Sequence, residues 1–476
     1  MRISGAEAVA RCLKKNDVYT AGVVGYPVTD LVEETDSDVV PNEMVGVEKA
    51  IGRSFAGERG CLIAKHVGVN VALDPLASSA TFGTGGGVLV IAGDDPGAVK
   101  SQDEGDSRSL GFKARVPVLT PSGVDGLLES VEEGLRLSED VGVPCIVRVT
   151  SRLLESETAV ERLRFDRIEE TGEFDRQRAW KGPVVRRRKV FEEEIRPEIR
   201  RYVDSSDLHS LRDGGTDLGV LSCGDASEVV PDDVSHLSLG YSYPVPSEAE
   251  RFVGRHDRVL VVEDGDPLIE NFLDTQNVVG KETGHLPRYG RLTEEAVERG
   301  IETAFTDPSP VSPDIEKSGR PLPESNPFYE IYKGVVDDLL DVFVAVDIGS
   351  VALTGRPPFE FADGASALGS AISLASGHPE DAVAFVGDTA FIHSGIQGLL
   401  EASERDEDIL VVILNDGVSN LTGGQRVTGV EKLPSLIESC DPDVFAEESA
   451  DRVVKASSKI SSLLSKDGVR VISLIS

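Results

Sequence analysis

Short apolar runs alternate with helical stretches along the whole sequence, and that alternation restricts the fold more than any other feature. Runs at 21–26, 60–65, 87–92 and 144–149 read as strands, with helices at 43–56 and 124–137 between them. The pattern returns at 218–221 and 258–262. It returns again at 342–346, 382–386, 409–414 and 469–475, with helices at 365–376 and 394–404. Apolar strands linked through helices make parallel sheets buried on both faces, so the expected class is α/β. Three units follow: residues 1–155, a smaller one at 216–302, and 328–476. A charge-dense connector, 156–215, separates the first two, and a Pro/Ser-rich linker, 303–327, precedes the last. Within the connector, Arg186-Arg187-Arg188-Lys189 runs into Glu192-Glu193-Glu194. Charge pairs on a solvated helix explain that run better than a basic patch for a partner.

Charge and cysteine usage narrow the function classes. The 476 residues carry 83 carboxylates against 48 Lys and Arg, a net charge of −35. Such a chain repels nucleic acid and acidic membrane surfaces. The acid is spread along the sequence, which suits the surface of a protein from a salt-rich cytoplasm; an unusually acidic protein of an ordinary cell is the alternative. Cys12, Cys61, Cys145, Cys223 and Cys440 are dispersed, with no CxxC among them. They read as reduced, buried thiols of a cytoplasmic protein. The first residues form no signal-peptide core, and no apolar run reaches the ~18 residues of a membrane span.

The chemistry is concentrated in the last unit. Val386-Gly387-Asp388-Thr389 ends one strand, and Leu414-Asn415-Asp416-Gly417 ends a later one. Both turns fall at carboxyl ends of parallel strands, where open sheets bind ligands. A carboxylate, a second carboxylate or amide, and a backbone carbonyl suit Mg²⁺ held together with phosphate oxygens. A helix beginning near Ser394 would turn its free N–H groups toward that phosphate. Read blandly, Asp388 is a turn residue and Asn415-Asp416-Gly417 a loop tip. The spacing of the two turns after two strands favours the ligand site.

Those residues resemble the thiamine-diphosphate signature. Gly387-Asp388-Thr389-Ala390-Phe391-Ile392-His393-Ser394-Gly395-Ile396 and Asn420-Leu421-Thr422-Gly423-Gly424-Gln425 are similar to 2-oxoacid:ferredoxin oxidoreductases, most of all to the large subunit of indolepyruvate ferredoxin oxidoreductase. Gly25-Tyr26-Pro27, Asn42-Glu43, Lys65-His66-Val67-Gly68-Val69-Asn70, Asp74-Pro75, Asp94-Asp95-Pro96-Gly97 and Ser101-Gln102 agree in the first unit. Leu239-Gly240-Tyr241 with Pro244, and Pro287-Arg288-Tyr289-Gly290, agree in the second. The resemblance implies a three-domain thiamine-diphosphate-enzyme architecture with a pyrimidine-binding, a middle and a diphosphate-binding domain. It implies thiamine diphosphate and Mg²⁺ as cofactors, with Gly387, Asp388 and Thr389 at the diphosphate and Asp388 as a metal ligand. The second ligand is Asn415 with the Gly417 carbonyl by likeness to decarboxylases, or Asp416 with the Val418 carbonyl by counting back from Thr422-Gly423-Gly424-Gln425. Glu43 would bond the aminopyrimidine ring and activate the thiazolium, a role that suits a buried acid; otherwise it is an exposed acid in a helix first turn, with Glu48 a surface competitor. His66 and His393 are the candidates for acid–base work or for holding a substrate carboxylate, against the plain alternative of satisfied buried rings. Gly83–Gly87 only looks like a phosphate loop, since it precedes a strand and lacks the following Lys-Ser/Thr.

The sequence also departs from that family. Where the family carries cluster cysteines, it reads Pro321-Leu322-Pro323-Glu324-Ser325-Asn326-Pro327 and Asp347-Ile348-Gly349-Ser350. Paired CxxC runs of a ferredoxin-like extension do not occur in the 476 residues either, so no iron–sulfur cluster is expected in this chain. Three readings follow. The favoured one is non-oxidative decarboxylation or carboligation of a 2-oxoacid, with an aryl pyruvate as the default substrate. The second is an oxidoreductase subunit whose clusters sit on a separate redox partner. The third is a cofactor-binding subunit without catalysis, which the retention of Glu43, His66, Asp388 and Asn415-Asp416 opposes. Sites in this family form between subunits, so a homodimer is implied. Val28 and Asp30 interrupt the family's run after Gly25-Tyr26-Pro27, which leaves the choice of 2-oxoacid open.

Overall fold

Val, Ile, Leu and Ala fill the central strands, and these strands are buried along almost their whole length. That is the composition of a parallel sheet covered on both faces. The computed structural model describes residues 2–98, 100–101, 103–169, 172–180, 183–215, 217–308 and 321–476. The chain divides into two compact units, Met1–Ile315 and Glu316–Ser476. Residues 309–320 of the expected linker lie outside the described residues, as does Gln102.

The first unit is built on two large sheets, beside a third made of two short antiparallel strands, Arg2–Ser4 and Glu157–Ala159. The larger runs Tyr241–Tyr243, Val118–Leu119, Cys145–Thr150, Val88–Asp94, Gly60–Lys65, Tyr19–Gly22, Asp38–Val39. Every pairing is parallel except that of Tyr241–Tyr243, which lies antiparallel to Val118–Leu119. The smaller runs Val278–Val279, Arg258–Val262, Leu218–Cys223, Ser235–Leu239, Ser210–Arg212, again parallel apart from the last strand. Two of these strands have unexpected origins. Ser210–Arg212 comes from the charged connector, and Tyr241–Tyr243, from the middle of the chain, extends the first sheet.

The connector is more than a solvated helix. Val184–Val190, Phe191–Ile195 and Arg196–Asp204 form one helical run. Glu192 pairs with Arg188 and Arg196, and Lys189 with Glu193, on its wet side. Phe191, Ile195, Ile199 and Val203 recur every four residues and join the core of the first sheet.

The second unit is built on a five-stranded parallel sheet, with a short antiparallel hairpin of Val418–Ser419 and Gln425–Arg426 beside it. The order of the five strands is Phe343–Val346, Ala382–Gly387, Ile409–Asn415, Val469–Ile475, Val444–Ser449. The helix expected at 365–376 is confined to Ala371–Ser376, because Gly369 adopts φ +87° and breaks it. Among the described residues, no helix is long and apolar enough to cross a membrane.

Candidate active site

In the second unit, three neighbouring parallel strands end in carboxylates. Phe343–Val346 leads into Asp347, Ala382–Gly387 into Asp388, and Ile409–Asn415 into Asp416. Gly387 caps a helical run that opens at Asp388 itself, not near Ser394. Three α-helical residues, Asp388–Ala390, lead through a five-residue π segment, Phe391–Gly395, into Ile396–Glu404. The positive end of the helix therefore lies at Asp388 and Thr389.

Asp388 is 2% exposed. Its Oδ1 accepts the Thr389 N–H at 2.6 Å and its Oδ2 accepts the Gly417 N–H at 2.8 Å. The second bond ties the two oxygen-rich turns together. Asp416 accepts the Val418 N–H at 3.2 Å on one oxygen and the Asn420 side-chain amide on the other. Burial pushes the Asp388 carboxyl up to about 6, with the Asp416 charge adding to the rise and the Gly417 N–H opposing it. Burial also raises Asp416. A buried carboxylate and a half-buried one that repel each other are stabilised by a cation between them.

The two candidate ligand pairs differ in geometry. The Gly417 carbonyl accepts the Val427 N–H at 3.0 Å, within the hairpin of Val418–Ser419 and Gln425–Arg426. Carbonyl directions alternate along an antiparallel strand, so the Val418 carbonyl points away from the hairpin partner. The backbone of Asn415 is tied into the sheet, its carbonyl accepting the Ser476 N–H at 3.0 Å. Cβ positions at Gly349, Gly387 and Gly417 all face open space. Asp388, Asp416 and one carbonyl fall short of the six oxygens of Mg²⁺, so this donor set fits the ion when diphosphate and water complete the shell.

His393 lies in the π segment, 9% exposed. The Ser394 hydroxyl donates to the Leu368 carbonyl at 2.6 Å, so it accepts from His393 Nδ1 at 3.0 Å. Asp347 was missed as a site residue. It is buried, and one oxygen accepts N–H groups of Gly369 at 2.7 Å and Ile348 at 2.9 Å. Burial raises it to about 6, with His393 pulling the other way. Its signal in the sequence was the one that revealed Asp388: an acid directly after an apolar strand.

In the first unit, Glu43 opens the helix Glu43–Phe55, capped by the Asn42 side chain, which accepts the Met44 N–H at 2.8 Å. It is 6% exposed, whereas Glu48 is exposed, so the reading of Glu43 as a solvated first-turn acid fails. Its carboxylate rests on Gly68, where an added Cβ would fall 2.1 Å from Oε1. The glycine of Lys65-His66-Val67-Gly68 thus makes the seat for Glu43. His66 begins the helix His66–Val71 and is 3% exposed. Its Nδ1 faces the Gly93 carbonyl at 3.3 Å. A carbonyl only accepts, so Nδ1 carries the proton and Nε2 is the basic nitrogen of the neutral ring. Nε2 is buried with no hydrogen-bond partner among the described residues. Burial lowers the His66 pKa against the opposing charge of Asp94. The glycines of Gly83–Gly87 serve packing: a Cβ on Gly85 would meet the Ser54 carbonyl at 2.6 Å, and one on Gly86 the Glu58 carbonyl at 2.2 Å.

With that geometry in place, residues 347–459 match the family described as thiamine pyrophosphate enzyme, C-terminal TPP binding domain. The span includes Asp347, Asp388, His393, Asn415 and Asp416. The chain is 30% identical over 481 residues to indolepyruvate oxidoreductase subunit IorA of Archaeoglobus fulgidus, covering 90% of this chain and 76% of the relative. It is 32% identical over 426 residues to the IorA subunit of Methanothermobacter thermautotrophicus, covering 82% and 69%. This chain belongs to the IorA family. The resemblance drawn from its motifs holds, and so does the α/β architecture. A solved 2-oxoglutarate:ferredoxin oxidoreductase from Magnetococcus marinus, with 2-oxoglutarate, coenzyme A and succinyl-CoA bound, shares the fold. The TM-score is 0.52 at 13% identity, covering 64% of this chain and 65% of that one.

Proposed function

We propose that this IorA-family chain is the thiamine-diphosphate-binding subunit of a 2-oxoacid oxidoreductase, with an aryl pyruvate such as indolepyruvate as substrate. The observation that carries the reading is the Gly417 N–H bond to Asp388, which joins two oxygen-rich turns inside the matched thiamine pyrophosphate segment. The named relatives are oxidoreductase subunits, and that favours oxidation over the non-oxidative decarboxylation first preferred from the sequence.

Asp388, Asp416 and the Val418 carbonyl would hold Mg²⁺, since the Gly417 carbonyl that Asn415 would need is engaged with Val427. The Gly387, Asp388 and Thr389 backbone at the helix opening would face the diphosphate. Thiamine diphosphate, when bound, supplies the electron sink for loss of the substrate carboxyl group. Glu43 would share a proton with the aminopyrimidine ring from its seat on Gly68. His66 Nε2 would accept or return a proton, and His393 would stand on the substrate side. The electrons would leave through iron–sulfur clusters on a separate partner subunit. The five cysteines of this chain are buried at separate places, four in different elements and Cys440 in the turn after Leu433–Glu438, which supports placing the clusters elsewhere. A homodimer belongs to the same reading, and sedimentation in high salt tests it.

The deciding experiment is anaerobic incubation with thiamine diphosphate, Mg²⁺ and a panel of 2-oxoacids in high salt, with and without a redox partner or a viologen acceptor. CO₂ release that depends on the acceptor is the expected result. Aldehyde or acyloin formed without any acceptor would return the non-oxidative reading.

A further inference from the structure

A charged interior lies between the two larger sheets of the first unit, and one end of it is next in the chain to Gly93, which contacts His66. Asp94 ends the strand Val88–Asp94 and takes the Arg148 Nε–H at 2.5 Å. Arg148 lies 3.9 Å from Asp106, which pairs with Arg108 at 2.5 Å. Arg108 then reaches across to the smaller sheet. It pairs with Glu263 at 2.6 Å and donates to the carbonyls of Asp264 at 2.8 Å and Asp266 at 2.6 Å. No side chain in this ladder is more than 2% exposed.

Stability alone is a poor account of such an arrangement, because buried ion sets are often replaceable by packed apolar residues without loss. The ladder also fails to neutralise itself. Three acids, Asp94, Asp106 and Glu263, face two cations, Arg108 and Arg148, with Asp225 and Asp264 nearby against Lys281; burial raises the carboxyls of Asp94 and Asp225, so a proton relieves the excess. At the Asp94 end that proton can sit on Asp94 itself or on His66. Its ring is fixed on both sides: the Gly93 carbonyl holds Nδ1, and Gly105 lies so close that a Cβ there would fall 2.1 Å from Cδ2. The other charges facing His66 are Lys65, which opposes its protonation, and Asp103, which favours it.

We propose that Asp94, Arg148, Asp106, Arg108 and Glu263 form a positioning network for His66: the ladder anchors the backbone on both sides of the ring, Asp94 next to the Gly93 carbonyl that holds Nδ1 and Asp106 next to Gly105, and its acids place buried negative charge near the proton that Nε2 takes up. The proposal rests on the reading of His66 as a proton-transfer group. It gives the middle of the chain a part in the chemistry, since Glu263 belongs to the smaller sheet.

The test follows the His66 ring by NMR in ¹³C-histidine-labelled protein in high salt without cofactor, with His66→Gln assigning the signal. Asp94→Asn is expected to lower the His66 titration midpoint by about one pH unit, because the nearest opposing charge is gone. Glu263→Gln, at the far end of the ladder, is expected to lower it by less, and this variant carries the test should Asp94→Asn not fold. An unchanged midpoint in the folded variants overturns the network. Full turnover by His66→Gln in the loaded enzyme would instead remove the role of His66, a separate result that the NMR midpoint does not depend on.

Discussion

At the scale of single residues, the candidate site is shaped by absent side chains as much as by present ones. Glu43 can lie buried against the helix His66–Val71 only because position 68 has no Cβ. Gly68→Ala is therefore expected to dislodge the carboxylate and to destabilise the fold by about 1–3 kcal/mol from overpacking. Thiamine diphosphate affinity, read by tryptophan-independent calorimetry, should fall at least tenfold, while Glu48→Ala on the exposed face leaves it unchanged. Equal effects of the two changes would assign the role to neither. The turn residues were legible in the sequence because an acid directly after an apolar run is a local pattern. The seat was not, since it joins Glu43 to a glycine on another helix, and only tertiary packing makes that pair.

At the scale of elements, the strands 60–65, 258–262 and 469–475 were readable to the residue, because their apolar runs are bounded by Gly or charged residues. The opening of the helix at Asp388 was not. Gly-Asp-Thr reads as a loop by composition, yet here Gly387 is extended and the helix starts at once. The π segment that follows shifts the helical register, so a 3.6-residue count from Ser394 misplaces everything before it. The connector misled in the same way: its charges are so dense that the stripe of Phe191, Ile195, Ile199 and Val203 beneath them was overlooked. Ile199→Ala is expected to cost about 2–5 kcal/mol, as a cavity in a fully formed core does. Chemical denaturation in high salt measures it, and a loss under 0.5 kcal/mol would show that the connector is the loose, solvated segment the composition suggested.

At the scale of the whole molecule, the net charge of −35 is a self-repulsion that salt must screen. The screening length falls from about 10 Å at 0.1 M salt to about 3 Å at 1 M. The melting temperature should therefore climb steadily between those concentrations of KCl, and a flat profile would deny the acidic surface any solvent-adaptive role. Composition announced this property, whereas the buried ladder of Asp94, Arg148, Asp106, Arg108 and Glu263 was invisible to it. Apart from Asp106 and Arg108, those residues lie well apart in the chain, and all are indistinguishable by type from the solvated majority.

The strand Tyr241–Tyr243 has a bearing on how such a protein can be inherited. It closes the edge of the first sheet beside Val118–Leu119, although its neighbours in the chain build the other sheet. A gene fragment ending before it would encode a sheet with its hydrogen-bonding edge laid bare, an invitation to mispair with other chains. Recombination within the first unit is thus penalised at the level of folding, and that unit should pass between genes as one block.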